Sequence, residues 1–158
     1  MIPATLDELI AVRDECYAMV SKRAFLSGGG AAVPLPGTDV ALDVAILMQL
    51  IPAINKQFGL SEDQIADYDP AMKQMLYQVI KRAGLALVGQ ELTKTLVTQI
   101  LKKVAGRVAV KQLMKFVPFI GQVVNVGIGY TAMRYVGRSH VDDCFDVCKK
   151  ASQASKAR

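Results

Sequence analysis

The sequence has few of the residues from which metal sites, nucleotide sites and catalytic centres are usually built. It contains one histidine and three cysteines in 158 residues, with no CxxC pair. It also lacks the GxxxxGK[ST] run in which a glycine loop and a lysine hold phosphates. These absences argue against a zinc module, a P-loop nucleotide site and a disulfide framework.

A secretory signal is also missing from the start of the sequence. The first residues lack a long apolar stretch, because Asp7, Glu8, Asp14 and Glu15 interrupt it. Together with the odd number of cysteines, this predicts free thiols in a reducing, cytoplasmic compartment. The stretch 116–133 carries no charge, but it contains a proline and three glycines, so we expect it to be a poor membrane-spanning helix.

What the sequence does contain is apolar residues at helical spacing. Hydrophobic residues make up 52% of the chain and charged residues 21%, and no segment alternates with the period of a strand. We therefore predict an all-α fold, a single compact bundle of about six or seven helices over 1–158. Its expected parts are an N-terminal helix with a glycine-rich break (1–30), a core (34–137), a C-terminal helix (139–151) and a frayed tail (152–158).

Several local signals predict where the helices begin and end. Thr5 to Glu8 and Ser61 to Gln64 have the spacing of a capping box, and Asp69 precedes a first-turn proline. Glycine is the usual residue just past the end of a helix. Gly59 is accordingly expected to end the second long helix, and Gly137 to end the helix before the last one.

Charge is distributed unevenly along the chain. Residues 1–70 hold four Lys/Arg against ten Asp/Glu, a net −6, whereas residues 71–158 hold fifteen against four, a net +11. Within the basic part, one helix is predicted to carry a cationic residue at every fourth position, with a further lysine beside the first. These residues are Lys102, Lys103, Arg107, Lys111 and Lys115.

We expect this basic row to meet something anionic, because like charges at this spacing repel each other. The alternatives are the acidic half of the chain, a lipid headgroup, a phosphate or a partner protein, beside a plainly solvated face. Nucleic acid is not expected, since no aromatic platform or groove-reading motif accompanies the row.

Two further groups of residues resemble catalytic or metal sites. His140, Cys144 and Cys148 share one helical face, but they span about 12 Å and cannot converge on one ion, so we interpret them as two buried thiols and a boundary histidine. Asp39 and Asp43 could form an acid/base pair, yet a position near the positive helix end explains them more simply. The sequence therefore predicts no metal, no cofactor and no enzyme.

Two segments resemble a known family. VPLPGTDVALDVAIL (33–47), followed by FGLSED (58–63), resembles the helical domain of the immunity-related (interferon-inducible) GTPases. KFVPFIGQVVNVG (115–127) resembles the matching segment there, and also the bacterial YcjF-type domain of unknown function that is often found behind an Era-like GTPase. The likeness covers about residues 20–140. Its motif residues are Pro34, Pro36, Gly37, Asp39, Asp43, Phe58 and Gly59.

The resemblance implies a helical module that accompanies a GTP-binding domain and associates with membranes. In the family, the residues that contact the nucleotide lie in that GTP-binding domain. The likeness over residues 20–140 does not include that domain, so no nucleotide-contacting residue is carried over and GTP hydrolysis is not expected. Our first hypothesis is a non-enzymatic membrane-associating or interaction module, cytoplasmic and peripheral at the inner face of a membrane. The alternatives are a soluble regulatory partner of a separately encoded GTPase and a ligand or catalytic pocket near Asp39 and Asp43.

Overall fold

A computed structural model describes the main chain of residues 1–28, 39–85, 87–89, 92–113 and 123–156. Within these ranges it places the side chains of residues 1–25, 42–85, 87–89, 92–104, 106–107 and 131–154. The described residues form helices and no strand, which confirms the all-α class. The helices are α1 (Leu6–Gly28), α2 (Asp39–Gln57), α3 (Glu62–Ala66), α4 (Pro70–Ala83), α5 (Lys94–Leu113) and α6 (Val123–Lys156).

The chain divides into two compact units. Unit 1 consists of Met1–Ala18, Ile51–Leu92 and Ser139–Arg158, and unit 2 consists of Met19–Leu50 and Thr93–Arg138. Each unit has a buried apolar core. Unit 1 buries residues such as Leu9, Ile54, Phe58, Leu60, Ile65, Leu76, Val141 and Val147; unit 2 buries Val20, Val44, Leu47, Leu50, Val97, Leu101, Met133 and Val136.

The predicted helix starts are confirmed. The Thr5 hydroxyl accepts the Glu8 amide N–H at 3.2 Å, and the Glu8 carboxylate accepts the Thr5 amide N–H at 3.3 Å. Ser61 and Gln64 form the same reciprocal pair at α3. At α4, the Asp69 carboxylate accepts the first free amides of the helix. Such caps satisfy amides that have no partner within the helix, which is why short polar residues recur there.

Gly59 ends α2 as predicted. Its φ is +73°, a conformation that costs a residue with a side chain. The Leu60 amide donates to the Asn55 carbonyl at 2.8 Å, and the Gly59 amide donates to the Lys56 carbonyl at 3.2 Å. These two bonds are the Schellman pattern, in which a left-handed residue closes the helix.

Gly137 does not end a helix, contrary to the sequence prediction. It lies inside α6, where an added Cβ would stand 2.7 and 2.9 Å from the two Cγ atoms of Val20. The glycine therefore allows α6 to approach α1 within unit 2, and this contact outweighs the low helix propensity of glycine. The described residues consequently form five long helices, slightly fewer than the six or seven predicted, besides the single-turn α3. α6 also continues through the expected frayed tail to Lys156.

Candidate functional site

The basic row lies on α5, and the structure describes three of its five side chains. α5 turns Val97, Leu101 and Val104 into the core of unit 2. Lys102, Lys103 and Arg107 are exposed. Lys111 belongs to α5, but its side chain lies outside the described residues, as does Lys115 altogether.

No carboxylate of the described residues forms an ion pair with the three described cations. α5 contains no aspartate or glutamate in its twenty residues. Within the described part of the chain, none of Lys102, Lys103 and Arg107 takes part in an ion pair. They lie along about 7.5 Å of helix axis, at the 1.5 Å rise of an α-helix. This arrangement leaves three positive charges facing solvent on one segment.

The motif residues of the family resemblance are only partly described. Pro34, Pro36 and Gly37 lie outside the described residues, as does the side chain of Asp39. Asp43 is 4% exposed in unit 2 and has an interaction partner in the fold. Because Asp43 is buried and has an interaction partner, its carboxylate does not face a solvent-filled cleft of the kind that an acid/base pair would need.

Phe58 and Gly59 close the carboxyl end of α2 in unit 1. The Phe58 side chain is fully buried. Its carbonyl accepts the Cys148 thiol at 3.4 Å, and the Gly59 carbonyl accepts the Tyr68 hydroxyl at 2.8 Å. Burial raises the pKa of Cys148 to about 12. Since the last carbonyls of a helix have no partner within it, these contacts stabilise the helix end.

A buried polar cluster, which the sequence analysis missed, joins α2 to α6 within unit 1. Asn55, on α2, is 3% exposed, and its amide nitrogen donates to the Leu87 carbonyl at 3.0 Å. That bond turns the amide oxygen toward α6, where it lies 2.8 Å from Nε2 of His140 and 3.4 Å from Sγ of Cys144. We call Asn55, His140 and Cys144 the buried polar cluster.

The hydrogen bonds assign the proton on His140. An amide oxygen only accepts, so the Nε2 atom of His140 carries the hydrogen and donates it. Nδ1 is then a bare acceptor, and it has no partner among the described residues. The histidine is 1% exposed, not at the boundary of the core as the sequence suggested, and burial lowers its pKa to about 4.

The cluster has the residue types of a Cys–His–Asn catalytic trio but not its geometry. A base that activates a thiol contacts the sulfur with one ring nitrogen and its orienting group with the other. Here Asn55 and the Cys144 sulfur, at 3.6 Å, both face Nε2. Burial, followed by the nearby Cys148, Asp143 and Cys16, raises the pKa of the Cys144 thiol well above its usual value. The thiol therefore stays protonated and inaccessible.

Two sequence signals pointed toward this cluster. Asn55 follows Ile51 and Ile54 at helical spacing, which places a polar amide on the apolar face of α2. His140 precedes Cys144 by one turn on the apolar face of α6. A polar side chain on a buried face requires a partner, and both faces carry one.

α4 carries a shallow groove on its outer surface. The groove has a volume of about 450 Å³ and is lined by Pro70, Lys73, Gln74, Tyr77, Gln78 and Lys81. Tyr77 is 55% exposed, whereas Leu76 and Ile80 turn the opposite side of α4 into the core.

Neither a cluster of metal ligands nor a membrane-spanning helix is found among the residues that the structure describes. No group of three His, Cys, Asp or Glu side chains within the described ranges is arranged to hold a metal ion. Among the described helices, none combines the length and the apolar character needed to cross a bilayer. Of the stretch 116–133, the structure describes the main chain from residue 123, within α6, and the side chains from residue 131.

Comparison of the chain with protein-family models, with curated proteins and with solved structures finds no match.

Proposed function

We propose that the chain is a non-enzymatic helical module that binds an anionic membrane surface through the exposed cations of α5. The observation that carries the proposal is the exposure of Lys102, Lys103 and Arg107 on a helix without acidic residues. Basic side chains at an anionic bilayer contribute about 1 kcal/mol each. Three of them contribute about 3 kcal/mol, or roughly a hundredfold in the binding constant.

The character of the buried groups supports a module without catalysis. The thiol of Cys144 is protonated and enclosed, and His140 is neutral and without access to solvent. Neither can serve as nucleophile or base toward an external substrate. The family resemblance, which implies association with membranes, points in the same direction as the basic face.

Vesicle flotation tests the proposal. The protein is expected to float with vesicles containing about 30% phosphatidylglycerol and not with phosphatidylcholine alone, because only the former attracts cations. The triple variant K102E/K103E/R107E should lose at least roughly a hundredfold in binding, because it removes three attracted charges and adds three repelled ones. Raising the salt from about 50 mM to about 500 mM should weaken wild-type binding as screening increases.

A matched control distinguishes the effect of the α5 cations from the effect of net charge. The variant K22E/K149E/K150E reverses three exposed lysines on other helices and changes the total charge equally. It should retain most of the binding. Equal losses in both triple variants, equal binding to neutral vesicles, or no binding to either vesicle would contradict the proposal. Charge-dependent capture of a purified GTPase by α5, without vesicle binding, would favour the regulatory-partner alternative instead.

A further inference from the structure

Hydrogen bonds from three side chains of α6 join this helix to α2 and to the residue that follows α2, within unit 1. His140 and Cys144 both contact the amide oxygen of Asn55, and the Cys148 thiol donates to the Phe58 carbonyl. The three α6 side chains are at most 1% exposed. A group that loses its partner at this depth stays without a hydrogen bond unless the packing opens and admits water.

The described surroundings of His140 do not stabilise a second proton on its ring. From α2, Asn55 presents a neutral amide oxygen that already accepts the Nε2 hydrogen, and Nδ1 has no partner among the described residues. The other titratable side chains of this region are Cys144, Cys148 and Asp143 on α6 and Cys16 on α1. Burial raises the pKa of all four, so the thiols are neutral. Asp143 binds a proton more readily in the closed state and therefore opposes opening at low pH.

A proton that enters at Nδ1 has no acceptor while α6 stays packed against α2. The protonated ring gains a hydrogen bond to water only if the two helices separate, and the contacts of His140 and Cys144 with Asn55 are then lost together. Part of a protein can open in this way at a lower free-energy cost than unfolding of the whole chain. Protonation of the ring therefore favours an open arrangement of these two helices.

We propose that acidification opens unit 1 locally, by separating residues 139–156 of α6 from α2, while unit 2 stays folded. The trigger is His140, the one histidine of the chain, which belongs to unit 1. Unit 2 has no histidine, and its core is formed by other side chains, such as Leu47 and Leu101. Opening exposes the Cys144 and Cys148 thiols, which the closed packing encloses.

The cysteines report the opening directly, because all three lie in unit 1 and are buried. The probe is a dipyridyl disulfide, which still reacts with thiols in weakly acidic solution. Its rate with the folded chain, divided by its rate with the urea-unfolded chain at the same pH, gives the open fraction. This fraction should rise by up to about tenfold per pH unit as the pH falls from about 6 to about 4.5, since opening is coupled to uptake of one proton.

Hydrogen exchange and two variants locate the opening and its trigger. In the wild type, the amides of residues 139–156 should lose protection over this pH range, whereas those of α5, in unit 2, should keep theirs. In His140→Gln, which still has a donor for Asn55 but does not titrate, the open fraction should not rise. The matched control Lys149→Gln removes an exposed positive charge from the same helix and should keep the pH dependence of the wild type.

Three results would overturn the proposal. Thiols that stay unreactive down to about pH 4.5 would show that the packing of α6 on α2 does not open. Equal loss of amide protection in α5 and in residues 139–156 would show that acid unfolds the whole chain in one step. An equal rise of the open fraction in His140→Gln would assign the trigger to another group. If that variant does not fold, the comparison of the two units within the wild type still decides whether the opening is local.

Discussion

Acidification is expected to destabilise the fold through the only histidine of the chain. Burial lowers the pKa of folded His140 to about 4, against 6.5 for an exposed histidine. Between these pH values the unfolded chain binds a proton that the folded chain does not, so protonation favours unfolding. The contribution of neutral His140 to stability is complete above about pH 6.5 and is lost progressively as the pH falls toward 4.

The geometry explains why the folded ring resists the proton. Nε2 already donates to the Asn55 oxygen, so a second proton must enter at Nδ1, which has no acceptor among the described residues. The difference between about 4 and 6.5 corresponds to roughly 3 kcal/mol at 1.36 kcal/mol per pH unit. This is a large fraction of the stability of a small protein.

Urea unfolding followed by circular dichroism, at several pH values between about 7 and 4, measures the loss. The control is His140→Gln, whose side-chain amide can still donate to Asn55 but does not titrate. Burial raises the pKa of Asp143, which stabilises the folded state as the pH falls, but this contribution is common to both proteins. The difference between them therefore isolates His140.

The prediction is refuted if the wild type and His140→Gln lose stability in parallel over this range. A direct check is the ring carbon-bound proton signal of the histidine in NMR spectra, which is unambiguous because the chain has one histidine. Its midpoint in the folded protein should lie well below 6.5. A midpoint near the exposed value would show that the ring is not enclosed.

Three further changes test the helix contacts. Gly137→Ala should lower the free energy of unfolding by about 1–3 kcal/mol through overpacking against Val20, measured by urea unfolding, and Val20→Ala should recover part of the loss in the double variant. Gly59→Ala should lower the stability of the fold clearly more than Gly84→Ala does. Both glycines have a positive φ, but only at Gly59 would the Cβ meet main chain, at 2.5 Å. Equal losses of stability in thermal melts would contradict this. Asp69→Ala should lower the free energy of unfolding by about 0.5–2 kcal/mol, whereas Asp69→Ser should change it little, since serine also caps a helix.

The sequence predicts those parts of the fold that depend on neighbouring residues. The capping boxes and Gly59 are of this kind, because donor and acceptor lie within a few positions of each other. Gly137 is different: its local propensity indicates a helix end, but its role depends on Val20, more than a hundred positions away. Tertiary packing decides such positions, and one sequence does not reveal the partner.

The same limit applies to the candidate sites. The exposure of Lys102, Lys103 and Arg107 follows from helical periodicity once Val97 and Leu101 are assigned to the core. The buried polar cluster joins residues 85 and 89 positions apart. The sequence showed polar groups on two apolar faces, but only the fold shows that they satisfy each other.

Asn55 provides a way to separate the two causes that keep His140 neutral. Asn55→Asp places a carboxylate where the amide oxygen now lies, 2.8 Å from Nε2. An opposite charge at this distance favours the imidazolium and raises the histidine pKa by about 1–3 units, although the ring stays buried. The same variant loses the donor to the Leu87 carbonyl and should be less stable at neutral pH, where a buried charge is left.

The NMR midpoint of His140 in Asn55→Asp is therefore expected to rise from about 4 toward or above 6. Cys144→Ala is the control, because it removes a neutral thiol from the same amide oxygen without adding charge, and its midpoint should stay low. If Asn55→Asp leaves the midpoint unchanged while the protein remains folded, the amide oxygen does not face Nε2. A rise in both variants would instead mean that loosening of the core, and not the introduced charge, admits the proton.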